Sequence, residues 1–505
     1  MFKTAAVFSD NMVLQRDKNV KVFGTGDKGI ITVSVNGNIA KCEISDGKWC
    51  VTLPAMKACD NLEMTVTDGD ETVTFRNVCI GEVWLAGGQS NMELELQNAL
   101  DGKKYLSELY GDMPVRFYYT NKAKTVEIAE EMEKSSGWSL CDKEESKDWS
   151  AVGFHFAVKL AKELGVTVGV IGCNWGGSSA SAWVSKETLS RDEELNSYLV
   201  EYDEKTAGKS YEELVAEYRQ YEKWEADYWN RINKLYAEKP DATWKEVEEI
   251  CGVNLWPGPM GPLNPMRPAG IYETMLKRVC PYTLRGFIYY QGESDDYKPH
   301  MYNKLLTALI DNWRKDWEDD ELFFDIVQLP MFRFKNEADH KRWCKIREAQ
   351  IRTFKTVRNT GIAVITDCGE FDNIHPVDKK PVGERLALQA LFHAYDKETE
   401  AFGPMYKDVY FEDEKAVITF DYAEQGFEVR GELSGFEMAG EDRKFKPARA
   451  EIIGDRIVVS SEIKNPLYVR YDWYNWIVPS LFGNKTGIPL APFRTSTDDE
   501  LSEEK

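Results

Sequence analysis

The chain has 505 residues, 43% hydrophobic and 12% aromatic, and a formal net charge of −22. Such a length exceeds one ordinary core and calls for two or three domains, and the composition is that of a folded protein rather than a disordered one. The charge would repel nucleic acid and anionic membrane surfaces, and no stretch approaches the apolar run that a membrane span needs.

The N-terminus, Met1 to Asp10, lacks the long apolar h-region of a secretory signal, so a cytoplasmic location is expected. The ten cysteines are scattered without a CxxC pair, which reads as buried free thiols in a reducing compartment.

In chain order, residues 1–80 read as short strands. Val20 to Phe23, Ile30 to Val35, Trp49 to Leu53 and Leu62 to Val66 are β-rich, and Asn36-Gly37, Asp46-Gly47 and Asp68-Gly69 between them are hairpin turns. A small N-terminal β-sandwich is expected. From 81 to 400 apolar strands alternate with amphipathic helices, the mark of a parallel sheet covered on both faces. The expected strands are Val83 to Ala86, Val166 to Ile171, Gly286 to Tyr290, Phe323 to Gln328 and Ala363 to Thr366, with helices such as Phe154 to Leu164 and Met301 to Trp317 between them. Residues 186–256, dense in Glu, Lys, Tyr and Trp, interrupt that alternation as a helical insertion. It serves either as a substrate wall or as a dimer contact, the latter making the protein a homo-oligomer. Residues 401–505 return to short strands, Ala416 to Phe420 and Arg456 to Val459 among them, and form a second β-rich domain whose tail, Thr497 to Lys505, is expected to fray.

In an open parallel sheet, ligands bind beyond the carboxyl ends of the strands. Four strand ends are informative here. The first leads into Gly87-Gly88-Gln89-Ser90-Asn91-Met92, the second into Gly172-Cys173-Asn174-Trp175-Gly176-Gly177, the third into Gln291-Gly292-Glu293-Ser294, and the fourth into Asp367 through Asp372-Asn373-Ile374-His375-Pro376. They supply a hydroxyl, a glycine pair, a side-chain amide and an Asp-x-x-His, the parts an acyl-transfer site needs. Ser90 at a tight strand-to-helix turn is the candidate nucleophile, and a serine hydroxyl needs a base, for which His375 is the candidate. Asp372 is close enough in sequence to hold the second imidazole nitrogen in the right tautomer. Oxyanion donors would be the Ser90 N–H, an N–H of Gly176 or Gly177, and the Gln291 amide.

Each part alone has a plainer reading: a turn serine, a loop glycine pair, a cap at Glu293. Of the five histidines, His155 and His393 sit in amphipathic helices and His300 and His340 in polar charged stretches with no acid–turn context. The coincidence of four elements, in order and at strand ends, singles out His375.

These motifs resemble the SGNH hydrolase superfamily and, more narrowly, the sialate O-acetylesterase family. Leu14-Gln15-Arg16, Ile346-Arg347-Glu348-Ala349-Gln350 and Ala491-Pro492-Phe493-Arg494-Thr495 are similar to that family as well, so the resemblance spans nearly the whole chain except the insertion. Gln89 and Gln291 stand where the wider superfamily has Asp and Asn, as in the acetylesterase branch. The resemblance implies a flavodoxin-like three-layer α/β/α core. It also implies a Ser90–His375–Asp372 triad without metal or organic cofactor, and hydrolysis of acetyl esters on a mono- or oligosaccharide through an acetyl-serine. A broad small-ester hydrolase and a sugar acyltransferase are the alternatives within enzymes; a non-catalytic glycan-binding protein is the alternative outside them. Trp175 and Trp183, flanking the glycine loop, and Glu293 are the expected sugar contacts, with core packing of the tryptophans as the plainer reading.

Overall fold

The computed structural model describes residues 1–239, 242 and 244–496, so the expected fraying of the tail Thr497 to Lys505 lies outside the described residues. The chain is mixed α/β, with a central mixed sheet and β-rich regions before and after it. The central strands run in the order Trp138–Asp142, Tyr110–Tyr119, Val168–Asn174, Thr72–Gly88, Gly286–Tyr290, Phe323–Val327 and Thr360–Ala363. All neighbours along that path are parallel except the first pair. Val168–Asn174 and Gly286–Tyr290 are buried at every position, as continuous apolar runs in a sheet covered on both faces must be.

Side chains alternate between faces along a strand, so Trp84 and Gly87 point opposite ways. Trp84 packs on Phe156 and Tyr395 of the helices Ala151–Leu164 and Lys380–Tyr395. A Cβ on Gly87 would lie 2.9 Å from Trp313 of the helix Tyr302–Trp317, which covers the other face.

Most expected strands are present; one is shifted and one further strand was not expected, each for a physical reason. The fourth site-bearing strand is Thr360–Ala363, not Ala363 to Thr366. Its neighbour pairs Val327 with Ala363 and then ends, so residues beyond 363 have no ladder to join and turn instead into the short 3-10 segment Thr366–Cys368. Tyr110–Tyr119 was not expected, because Gly111, Asp112 and Pro114 mask its pattern.

The boundary drawn after residue 80 falls inside the 17-residue strand Thr72–Gly88. That strand pairs with Cys59–Thr67 at its start and with the central strands at its end, and one buried core runs from Phe2 to Leu391. The later β-rich region has its own core, including Ile418, Phe436, Val459 and Tyr471. Residues 186–256 carry the helices Lys186–Arg191, Ser197–Thr206, Tyr211–Glu238 and Trp244–Cys251. The 28-residue helix starts at a capping box of Ser210 with Glu213, and Tyr218, Tyr221, Trp224 and Tyr228 stack along one side of it.

The motifs far from the site prove to be fasteners. Arg16, Gln15, Arg285 and Tyr395 all converge on the fully buried carboxylate of Glu82, joining the first residues to the central sheet. Buried Arg347 donates to the Pro330 and Tyr474 carbonyls, and Arg494 pairs with Glu348 through two 2.9 Å contacts, so both tie the C-terminal region to the helix Arg342–Thr356. Gln350 donates to the Gln291 and Val327 carbonyls at 3.1 Å and accepts from Leu329, clamping two strand ends that face the site. Seven of the ten cysteines are buried, and all ten are free.

Candidate active site

The strand that carries Ser90 stops at Gly88, whose φ is +133° and whose Cα lies so close to the Tyr290 carbonyl that a Cβ would sit 2.1 Å from that oxygen. Only glycine fits there. The chain then reverses: the Gln89 carbonyl accepts the N–H groups of Met92 and Glu93 at 2.8 and 3.0 Å, and Ser90 begins the single helical turn Ser90–Glu93. Ser90 Oγ lies 2.8 Å from His375 Nε2, across 285 residues of sequence.

His375 is held by its own loop. Asn373 brackets it, accepting its N–H at 3.0 Å and donating to its carbonyl at 3.1 Å, and Glu370 binds the Asn373 amide and the Val377 N–H, both at 2.8 Å. Asn91 joins this loop to the Ser90 turn. Its amide donates to Ile374 O at 2.9 Å and to Glu293 Oε1 at 2.6 Å, and its carbonyl accepts from Lys379 Nζ at 2.6 Å.

Enclosure by protein depresses the pKa of His375, and the Lys379 charge adds to that, while Glu93 opposes it. Burial brings Lys379 down to about 8, and burial raises Glu293. Asn91 therefore bridges a buried cation and a buried carboxylate whose Oε2 has no partner among the described residues. Lys379→Met should strip Asn91 of its donor and Glu293 of the cation that favours its charge, at about 3–5 kcal/mol in urea unfolding. Adding Glu293→Gln should restore most of the loss. A single-variant loss below about 1 kcal/mol would show that the network is not the tie between the two loops.

Among the described residues, no hydrogen bond joins Asp372 to His375. Asp372 has a left-handed backbone, φ +63°; its N–H donates to Arg333 O and its Oδ1 accepts the Lys335 N–H at 2.9 Å. Phe371 beside it packs on Trp476, 5.5 Å between ring centroids. These contacts turn the Asp372 carboxylate toward the 333–335 segment, and the structure brings together Ser90 and His375 without it.

The expected oxyanion donors divide. Gln291 is buried and both its amide hydrogens are engaged, on Ser178 O at 3.0 Å and on Asp295 Oδ2 at 2.6 Å, while its carbonyl accepts from Tyr302. It is corrected from an oxyanion donor to an anchor for the glycine loop. The Gly176 N–H is also taken, by Glu93 Oε2 at 2.7 Å, and Glu93 pairs in turn with Lys122. The N–H groups of Ser90 and Gly177 have no partner among the described residues.

Two expected sugar contacts are corrected as well. Trp183 is fully buried, its indole N–H on Ser178 Oγ and its ring against Trp313, so it supports the loop from below. Glu293 is buried in the Asn91 network. Trp175 is partly buried against the core. Sequence reasoning assigned no role to Asn91, Glu93, Lys379 or Trp256. Asn91 stood inside the Ser90 motif, and its amide was the available signal; burial of Lys379 within Asp378-Lys379-Lys380 left no trace in the sequence.

A concavity of about 740 Å³ between the helix Lys380–Tyr395 and the C-terminal β-region, lined by Phe392, Phe402 and Tyr422, shares no residue with this site.

A sequence model described as "Carbohydrate esterase, sialic acid-specific acetylesterase" matches residues 263–391, which include Gln291 and the His375 loop. Curated sialate O-acetylesterases from Mus musculus and Homo sapiens are each 23% identical to the chain; the alignments cover 97% and 99% of it and 94% and 93% of the relatives. A crystal structure of a carbohydrate acetylesterase from Xanthomonas citri superposes with a TM-score of 0.78 at 28% identity, over 98% of this chain and 100% of that one. The resemblance read from the motifs thus extends along nearly the full length.

Proposed function

We infer that this chain is a carbohydrate O-acetylesterase of the sialate O-acetylesterase family, and that Ser90 holds the acetyl group between the two halves of its reaction. The observation that carries this reading is the 2.8 Å contact of Ser90 Oγ with His375 Nε2 beside two unengaged backbone N–H groups. As Oγ attacks the acetyl carbonyl carbon, His375 Nε2 takes the hydroxyl proton, and the oxyanion accepts from the Ser90 and Gly177 N–H groups. The imidazolium then protonates the departing sugar oxygen, leaving acetyl-Ser90. A water molecule repeats the sequence, giving its proton to His375; the Ser90 oxygen takes that proton back and acetate leaves.

For Nε2 to act as base, the neutral ring must carry its proton on Nδ1, and that N–H calls for an acceptor. Asp372 is the orienting acid in this proposal, reached by a rearrangement of its loop: its Oδ2 and His375 Nδ1 are both without a partner among the described residues. Helices on both faces of a largely parallel sheet support the finer fold description, an SGNH-type three-layer α/β/α core. Ten free thiols favour a reducing, cytoplasmic setting.

The test is acetate release from a panel of acetylated sialic acid, xylo-oligosaccharides, manno-oligosaccharides and monosaccharides. Comparable turnover of long-chain esters would favour the broad-esterase reading, and binding without release would favour a lectin.

The pH dependence follows from the environment of His375. The base must be neutral, and enclosure and Lys379 favour the neutral form, so kcat/KM should rise through an inflection below the ordinary histidine value of 6.5 and stay level above it. An inflection above 6.5, or a flat profile from pH 4 to 8, would remove His375 from the role of base.

A further inference from the structure

We propose that Trp256, carried by the end of the helical insertion, is the platform on which a pyranose ring of the acetylated sugar stacks. This rests on the esterase reading above and names a binding subsite for it.

Gly176 and Gly177 connect the two places. A Cβ on Gly176 would lie 3.2 Å from Ser90 Cβ, and a Cβ on the next residue, Gly177, would lie 2.7 Å from Trp256 Nε1. The indole therefore abuts the oxyanion loop itself. The atoms that Cβ would meet are Nε1 at 2.7, Cζ2 at 2.8 and Cε2 at 2.9 Å, contiguous along one edge of the ring, with the middle atom the farthest. The glycine therefore meets the indole at its Nε1–Cε2–Cζ2 edge rather than over the centre of either ring. No aromatic ring and no cation covers Trp256 among the described residues, and 40% of its surface is exposed. Gly177 has φ +73°, so a side chain there would be strained as well as blocked, and the indole edge occupies the space it would need.

An exposed tryptophan on a loose loop would mean little, and this loop is fastened. The Trp256 N–H donates to Asn254 Oδ1 at 3.0 Å. Buried Asn264 donates to the carbonyls of Pro257 and Pro259 at 3.0 and 3.2 Å. Gly258 sits on the Tyr221 ring, where a Cβ would lie 2.6 Å away, and Tyr221 in turn stacks on Trp224 of the long insertion helix. The aromatic column of that helix thus serves as the footing that fixes the indole beside the nucleophile. A pyranose presents an apolar C–H face and a hydroxyl rim, and a fixed indole face buries the first while leaving the second in water. An acetyl ester placed at Ser90 would put the sugar that bears it, or its neighbour in an oligosaccharide, on the side of the glycine pair where Trp256 stands.

The test compares the wild-type chain with Trp256→Ala and Trp256→Phe on three acetyl esters: an acetylated xylo-oligosaccharide, O-acetylated sialic acid, and 4-nitrophenyl acetate, which has no sugar. Trp256→Ala should raise KM about tenfold for at least one sugar with kcat little changed, leave 4-nitrophenyl acetate unaffected, and be largely rescued by Trp256→Phe. Whichever sugar shows the effect identifies the ring that stacks. An equal loss on all three esters would overturn the proposal, making Trp256 a packing residue for Gly177 with the esterase intact. A changed mass in solution with unchanged KM would overturn it in favour of a subunit contact. Calorimetric binding of the deacetylated xylo-oligosaccharide and of free sialic acid to the Ser90→Ala chain decides the platform separately. If the wild type releases no acetate from sugars, the family reading fails alone; loss of sugar binding on adding Trp256→Ala still supports the platform, and sugar binding that is unchanged or absent overturns it.

Discussion

Ser90→Ala is expected to lower kcat for acetate release on the order of a million-fold, to the residual rate that binding and the oxyanion donors supply without a nucleophile. In the proposed reaction the oxygen removed is the one that bonds the acetyl carbon, and no other hydroxyl contacts His375 among the described residues. His375→Ala should fall to a similar floor, and the double variant no further, because the pair acts as a unit. The melting temperature should barely move, since the hydroxyl anchors no loop and its one hydrogen bond is to the His375 imidazole. Activity within tenfold of wild type in Ser90→Ala would end the assignment, whatever the family resemblance.

Asp372→Asn is expected to cost about 10^4-fold in kcat with KM little changed, the effect of leaving the imidazole in the wrong tautomer. Asp372 here is turned to the Lys335 N–H, so the loop must rearrange before the carboxylate meets Nδ1. The variant separates two roles. An asparagine keeps an oxygen for Lys335, so an acid that merely anchors the loop would tolerate the change within tenfold, and an orienting acid would not. A loss under tenfold would make His375 the partner of Ser90 without a third member. Catalytic hydrogen bonds often tighten only with substrate bound, and comparing single-turnover rates in the two chains would read that step directly.

Much of the site was legible because its parts are local. A glycine at which any Cβ would sit 2.1 Å from a carbonyl oxygen, a serine directly after the turn and a histidine on a loop past the last strand each leave a mark in a few neighbouring residues. The alternation of apolar strands with amphipathic helices likewise announces a sheet covered on both faces, and Gly286 to Tyr290 has the extent read from sequence. The strand Tyr110–Tyr119 was hidden by its own glycine and proline, since pairing supplied by neighbours overrode local preference.

What residue types and spacing determined, then, was the inventory: Ser90, His375, a glycine pair, and an α/β frame to hold them at strand ends. Tertiary structure decided which groups are free to act. Gln291 has the right amide and the right strand end, yet Ser178 and Asp295 consume both its hydrogens; Gly176 N–H is spent on Glu93, and Gly177 N–H is not. Trp183 and Trp256 are the same residue type near the same loop, one sealed beneath it and the other standing at its edge. A hydrogen-bond donor or an aromatic face counts for function only if nothing in the fold has already used it, and those competing partners come from segments far away in sequence.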